Sequence, residues 1–337
     1  MSVKQYIGRR KFLKVSTLGL VSAGISAGQN ISCLSKKEKK EEKSLRIKGY
    51  RMLGRTGFRV SEIGCGNIQD AGLLSAMLDA GVNYIDTAES YPGHHRIVGR
   101  AIRGRDRKSV FITTKMQMEG DVSVQGLVKR VDKALEELET DYVDCMMMHM
   151  PEKAETLGHK NFHQAMKRLK SEGKVRFLGV SHHGSFWLRE PEESMEKVLL
   201  AAAEDGRFDV FLLAYNFLQM DQGKRVLEVC GEKEIGTALM KTTPVYRYYL
   251  LKSRIEKLEK EGKKIHPLYR EGLKRFKEKA DMAEAFIKEN RLEDPEEIRE
   301  AAIKFVLSNP EVNTVCCSIR TYKEMERMVR LSGKKQA

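Results

Sequence analysis

Eight short apolar runs, each separated from the next by a segment with helical periodicity, constrain this chain more than any other feature. They cover Val60 to Gly66, Val82 to Ala88, Val110 to Lys115, Tyr142 to His149, Val175 to Ser181, Val210 to Tyr215, Ile235 to Lys241 and Thr314 to Ile319. Apolar runs of this length are strands buried on both faces, and strands joined through helices run parallel. The segment 122–139 is typical of the connections, with Val124, Leu127, Val128, Val131, Leu135 and Leu138 on one broad face. Eight such units predict an α/β fold of the closed kind, a (β/α)8 TIM barrel. An open doubly wound sheet would carry a glycine-rich turn after its first strand, and Gly64-Cys65-Gly66-Asn67-Ile68 lacks the third glycine.

Ahead of the first run, Tyr50 to Val60 reads as an N-terminal β-hairpin cap with Gly54 and Gly57 at its turn. Between the last two runs, Tyr246 to Asn290 is longer than one helix needs. Its dense charge at helical spacing predicts a solvated face, with part of it able to overhang the barrel mouth as a lid.

The net charge of +14 invites a nucleic-acid or membrane-surface reading, but 12 Lys and Arg against three Asp and Glu lie within the first 48 residues. The remainder carries only +5, mixed along helical stretches. No nucleic-acid face is expected. The six cysteines show no Cys-x-x-Cys spacing, so neither a disulfide framework nor a zinc or iron-sulfur site is expected. Adjacent Cys316 and Cys317 read as reduced thiols on opposite faces of a strand.

Residues 1–33 resemble a twin-arginine signal segment. Gly8-Arg9-Arg10-Lys11-Phe12-Leu13-Lys14 precedes a small-residue apolar run from Val15 to Ala27, too weak to span a membrane. This implies export through the twin-arginine translocation machinery to the periplasm. Cys33 raises lipid anchoring, which Asn30-Ile31-Ser32 disfavours because the Leu usual three residues before a lipidated Cys is missing. Residues 34–48 read as a charged linker, 49–330 as the barrel and 331–337 as a C-terminal tail.

In such a barrel the C-terminal strand ends converge on one mouth. Four runs end in a polar group there: Asp86 with Tyr91 just after it, Lys115, His149, and Ser181 followed by His182. Singly, each has an ordinary structural explanation as a cap, a snorkelling amine or a core histidine. Together they would meet at one place.

The order Leu-Gly-Arg-Thr-Gly, Asp-Ala-Gly-Val-Asn-Tyr-Ile-Asp-Thr-Ala-Glu-Ser-Tyr, Thr-Lys, Asp-x-x-x-x-His and Gly-Lys-Val-Arg-Phe-Leu-Gly-Val-Ser resembles the aldo/keto reductase superfamily from about residue 50 to 330. The resemblance implies an NAD(P)-dependent oxidoreductase that transfers hydride between a nicotinamide and an aldehyde, ketone, sugar or alcohol. It implies a tetrad of Asp86, Tyr91, Lys115 and His149. Tyr91 would be the general acid, its phenol lowered by Lys115, while Asp86 holds Lys115 and His149 orients the carbonyl.

For the cofactor the resemblance implies Gly66, Asn67, Ser181, His182, Lys241, Ser318, Arg320 and Glu324. Several depart from the family pattern: His182 stands where Asn is usual, Leu212 where a Gln is usual, and Met240-Lys241 where an aromatic often stacks. Arg320 and Lys323 favour NADP, the expected cofactor, whereas Glu324 favours the alternative, NAD. The pairs His94-His95 and His182-His183 lack a third ligand, so no metal is expected, and His94 and His95 read as lining the substrate opening. The competing function is a barrel that binds nucleotide or sugar as a sensor or partner subunit with little turnover.

Overall fold

The computed structural model describes residues 45–184 and 191–333. Eight parallel strands close into a barrel, each paired with its neighbours in sequence and the last with the first. They are β3 Ile63–Cys65, β4 Tyr84–Asp86, β5 Phe111–Met116, β6 Val143–His149, β7 Val175–His182, β8 Val210–Ala214, β9 Gly236–Met240 and β10 Thr314–Cys317. Each lies on one of the eight apolar runs, with β5 and β7 extending one residue past theirs, to Met116 and His182. The first run divides, because Ser61 turns the chain: its hydroxyl donates to the Ile63 carbonyl at 2.6 Å and its amide donates to Asn83 Oδ1 at 2.7 Å. Arg59–Ser61 is therefore β2, antiparallel to β1 Tyr50–Met52.

That hairpin caps the barrel at its N-terminal end. Leu53 is fully buried in the interior cluster with Tyr84, Phe111 and Cys145, and Phe58 packs on Phe111 with ring centroids 5.4 Å apart. Gly54 has φ 46°, and a Cβ there would stand 2.3 Å from the Gly236 amide nitrogen. Only glycine meets both conditions.

Side chains alternate across each strand with a period of two. Ile85, Ile112, Met146 and Met148 face the helix layer, while Tyr84, Phe111, Cys145 and Met147 fill the interior. The same parity carries Asp86, Lys115 and His149 inward at interior positions nearer the C-terminal end. Gly179 in β7 keeps that interior open, since a Cβ would meet Val210 O at 2.5 Å and Met147 Cγ at 2.8 Å. The five described-region cysteines are free. Cys317 faces the helix layer and Cys316 the interior, so the two thiols do take opposite faces.

The long segment after β9 folds as helices Tyr246–Lys260, Pro267–Met282 and Glu284–Glu289, followed by Pro295–Ser308. Val245, Ala283 and Ile298 form a separate small cluster beneath them.

Residues 45–48, expected to belong to the linker, pack against the barrel unit among the described residues. Ile47 is buried and its amide donates to the Ala80 carbonyl at 2.8 Å. At the other end Ser332 Oγ accepts from the Lys48 and Gly49 amides at 3.2 and 2.8 Å. Leu45 and Ile47 on the core, with these backbone bonds, dock a stretch whose composition reads as linker. Residues 1–33, where a twin-arginine signal is expected, Cys33 with them, and the charged stretch up to residue 44 lie outside the described residues, as do residues 334–337. Among the described residues no helix is long and apolar enough to cross a membrane.

Candidate active site

The strand ends do meet. Lys115 Nζ lies 2.6 Å from Asp86 Oδ1 and donates also to the Thr87 carbonyl at 2.7 Å. Both side chains are buried, Lys115 to 1% exposure and Asp86 to 5%. Tyr91 follows β4 by five residues and returns over the mouth, its ring centroid 5.0 Å from Lys115 Nζ. The His149 ring stands edge-on to Tyr91, with centroids 6.4 Å apart. Four groups from three adjacent strands thus surround one point.

The loop bearing Tyr91 is stitched to the end of β5. The Glu89 amide donates to the Lys115 carbonyl at 3.1 Å, and the Glu89 carboxylate accepts from the Gln117 amide at 2.8 Å and from Arg130 Nε at 2.9 Å. Tyr91 is held against Lys115 by backbone as well as by charge.

The protonation states follow from burial and charge. Burial works against the Lys115 ammonium, but Asp86 and then Tyr91 outweigh it and leave the amine above its ordinary value. Burial holds the Asp86 carboxyl up, with Lys115 opposing. For Tyr91 the outcome differs from the sequence expectation. Loss of water pushes the phenol above its usual range, Lys115 pulls it back and Asp86 pushes it up again, so the net direction is upward. Desolvation of the phenolate exceeds the pull of one lysine already shared with a carboxylate. The phenol is therefore in its proton-donating form.

His149 is pushed down to about 3, first by burial and then by Lys115. It is a neutral imidazole with a buried Nδ1 that has no partner. Ser181, its register partner on β7, also has a buried hydroxyl without a partner.

Two cavities flank this point. One of about 400 Å³ lies toward β9 and β10 and is lined by Lys241, Arg247, Arg275, Lys279, Arg299 and Arg320, with Glu324 its single acid. Lys241 is pulled below its ordinary value by loss of water and then by Arg247. Lys279 is pulled down by loss of water, then by Lys241 and Arg275. Cations crowd this wall closely enough to feel one another. The other cavity, of about 520 Å³, opens beside His149 and includes His182 and His183.

Three of the cofactor residues expected by resemblance, Lys241, Ser318 and Arg320, come together at the cationic cavity, and Glu324 with them. Glu324 does not stand free to repel a phosphate: its carboxylate accepts from buried Arg299 Nη1 at 3.1 Å and from the Arg320 amide at 3.0 Å. Gly66 lies beside Ser318, its amide bonded to the Cys317 carbonyl at 2.9 Å. Asn67 bonds Gln69 and lines neither cavity. His182 lines the cavity beside His149, its Nδ1 accepting from the Gly184 amide at 3.1 Å.

His94 and His95 correct the sequence reading outright. They do not line an opening but are buried in the first turn of the helix His94–Ile102. His94 Nδ1 meets Thr87 Oγ1 at 2.8 Å and His95 Nε2 meets Thr114 Oγ1 at 2.9 Å. Both support the strand ends from behind. Sequence reasoning also passed over Asn216, two residues beyond β8, fully buried and donating to the Lys241 carbonyl at 3.1 Å. Its signal was the one used for the others, a polar residue at a strand end. Met150 and Lys241, each the residue after its strand, have φ 53° and 56°. Such left-handed positions cost about 1–3 kcal/mol and concentrate at working sites. Among the described residues no group of three or more His, Cys, Asp or Glu could hold a metal ion.

Buried neutral imidazoles have a measurable consequence. His94 and His182 are pushed down to about 4, and His149 and His183 to about 3, burial being the first cause in each. In the unfolded chain all four titrate near 6.5. Their contribution is complete above that value and is lost as pH falls through the window from 6.5 toward 4 and then 3, because the unfolded chain binds more protons there. Urea unfolding at pH 7 and pH 5 is expected to differ by on the order of 1 kcal/mol per buried imidazole per pH unit. Equal stability at the two values would mean that the imidazoles are solvated.

Residues 68–335 match the model of the aldo/keto reductase family. Methylglyoxal reductase DkgB of Salmonella typhi is 34% identical over 111 residues, 32% of this chain and 41% of that protein. The first relatives are thus matched over less than half of their length. Aldo-keto reductase YhdN of Bacillus subtilis is 23% identical over 310 residues, 84% of this chain and 88% of its own. The fold is that of aldo-keto reductase AKR11C1 from Bacillus halodurans, with a TM-score of 0.63 at 20% identity over 86% of this chain and 92% of that one.

Proposed function

The chain belongs to the aldo/keto reductase family, and on that premise we propose that it is an oxidoreductase moving hydride between a nicotinamide cofactor and a carbonyl or alcohol. The observation that carries the reading is the 2.6 Å pair of Lys115 with Asp86, set beneath Tyr91 and His149 between a cationic and a polar cavity.

The nicotinamide, when bound, supplies or receives the hydride. The chain's own residues handle the proton and the charge. Tyr91, a neutral phenol, gives its proton to the carbonyl oxygen during reduction. Lys115 stays charged beside it and stabilises the phenolate left behind, while Asp86 keeps the ammonium in place. His149, neutral, donates a hydrogen bond to the oxygen as negative charge builds there. In the reverse direction Tyr91 must give up its proton before accepting the alcohol's, and the raised phenol makes that the slower sense at neutral pH.

The donor set of the cationic cavity fits a nucleotide. Six Lys and Arg against one acid, itself bonded to Arg299, would hold a pyrophosphate bridge. With the Glu324 charge engaged, Arg320 favours a 2′-phosphate, so NADP is the preferred cofactor and NAD the alternative. Fluorescence titration of the reduced nucleotide is expected to give tight binding. The double variant Arg275→Ala/Lys279→Ala should weaken it about tenfold and flatten its dependence on salt. If neither NADPH nor NADH binds, or if no aldehyde, ketone or sugar makes the reduced-nicotinamide absorbance decay, the oxidoreductase reading fails.

Export through the twin-arginine route rests on residues 8–27 of the sequence alone. It belongs with this reading as a proposal, in which the folded chain leaves with its nucleotide bound. Protein recovered from the periplasm without nucleotide would count against it.

A further inference from the structure

Tyr91 reaches the barrel mouth on a loop that packing does not hold. Its neighbours Ser90, Pro92 and Gly93 are exposed. β4 and β5 run side by side up to this loop, where the Thr87 amide donates to the Thr113 carbonyl at 2.9 Å and the Glu89 amide to the Lys115 carbonyl at 3.1 Å. A parallel ladder continued one step further would meet the Gln117 amide with a backbone carbonyl of the neighbouring chain. The chain turns away instead, the Tyr91 amide donating to the Ala88 carbonyl at 3.1 Å, and the Gln117 amide donates to Glu89 Oε1 at 2.8 Å. A side-chain carboxylate stands in for the rung that the turn removes.

Arg130, from the helix Val124–Leu138, fixes that carboxylate. Its Nε donates to Glu89 Oε2 at 2.9 Å and its Nη2 to Glu89 Oε1, a two-pronged pair. The same guanidinium donates through Nη2 to the Gln117 carbonyl at 2.6 Å and through Nη1 to the Glu119 carbonyl at 3.2 Å. One side chain thus joins the loop after β4 to the loop after β5. The planar fork of arginine matches this set of acceptors, whereas a lysine ammonium brings the charge without the fork.

Neither binding nor bulk stability accounts for this arrangement. Glu89 and Arg130 line neither of the two cavities. With side chains 28% and 23% exposed, the pair is too open to carry much of the fold. What it does set is the separation of two reacting groups, because Tyr91 lies two residues beyond Glu89 and Lys115 two residues before Gln117.

We propose that Glu89 and Arg130 are positioning residues for proton delivery. The pair fixes the turn that carries the Tyr91 phenol over Lys115, and it acts on the reaction through Tyr91 alone. The proposal rests on the oxidoreductase reading and adds to it two residues outside both cavities. A displacement of about 1 Å at a reacting group costs on the order of a hundredfold in rate. Loosening of the turn is therefore read in the chemical step.

Arg130→Met in the full chain is expected to slow single-turnover reduction of 4-nitrobenzaldehyde by bound NADPH about tenfold or more, with NADPH affinity and melting temperature nearly unchanged. Arg130→Lys should recover part of the loss. In the Tyr91→Phe background the same Arg130→Met substitution should change the rate by less than about twofold, since the group it positions is gone. An unchanged rate, a tenfold loss that persists without the hydroxyl, or an equal loss of NADPH affinity overturns the proposal and leaves the oxidoreductase reading standing. Hydrogen exchange supplies a readout without turnover. Peptides covering residues 87–93 should exchange about tenfold faster in Arg130→Met than in native protein, while those of β6 stay the same. Unchanged exchange at 87–93 overturns the proposal whatever the activity. Failure of the native protein to reduce any carbonyl overturns the oxidoreductase reading instead, and the exchange still decides whether the pair holds the turn.

Discussion

Tyr91→Phe is expected to slow single-turnover reduction by about 10²–10⁴-fold while nucleotide affinity stays within about twofold of the wild type. The asymmetry follows from where the hydroxyl sits. The Tyr91 ring lies 5.0 Å from Lys115 Nζ and faces His149, whereas the cations that would hold nucleotide phosphates line the other cavity. Phenylalanine keeps the ring and its edge-on packing but removes the proton. Lys115 cannot replace it as the acid, because Asp86 holds its ammonium charged above the ordinary lysine range. His149 cannot either, being held neutral by burial to a value of about 3. The decay of reduced-nicotinamide absorbance with stoichiometric enzyme reads the step directly. Equal rates for native protein and Tyr91→Phe would remove the proton-donating role and favour a nucleotide-binding barrel with little turnover.

Much of this site could be read from the sequence because strand parity is local. Once β4, β5 and β6 are recognised, a period of two carries Tyr84 to Asp86, Phe111 to Lys115 and Cys145 to His149 along the inward face. Nothing beyond the strand itself has to be known. What could not be read depends on which helix packs where. Glu324 meets Arg299 across 25 residues and two elements, so its charge looks free in the sequence and is engaged in the fold. The net direction of the Tyr91 phenol depends on how much water remains around it, which no spacing reports. His94 and His95 are an intermediate case. His94, Ile97, Val98 and Ala101 share one helical face and all are buried, so the periodicity places His94 inside once the helix start is known. Their place just after Tyr91 invites a reading as lining of the opening, and the burial of the helix's first turn overrides it.

The Asp86–Lys115 pair separates stability from catalysis in a way that a double-mutant cycle resolves. Asp86→Asn leaves the Lys115 ammonium in a buried site without a counter-charge, among neutral acceptors such as the Thr87 carbonyl at 2.7 Å, and is expected to cost about 3–5 kcal/mol in urea unfolding at pH 7. Lys115→Met strands the carboxylate and is expected to cost somewhat less, since a buried carboxyl already raised by desolvation relieves the cost by taking a proton. The double variant Asp86→Asn/Lys115→Met removes both charges, and its stability should return to within about 2 kcal/mol of the wild type. Turnover should not return: without Lys115 the Tyr91 phenolate has no counter-charge. The lysine also sets the alkaline limit. Its folded value is raised, so its contribution is complete below the ordinary lysine value and is lost as pH rises through the higher one. If the double variant were as unstable as Asp86→Asn alone, the pair would be holding the strand ends by shape and not by charge. If it were stable and still turned over, proton delivery would have to be assigned to a group other than the phenol beside it.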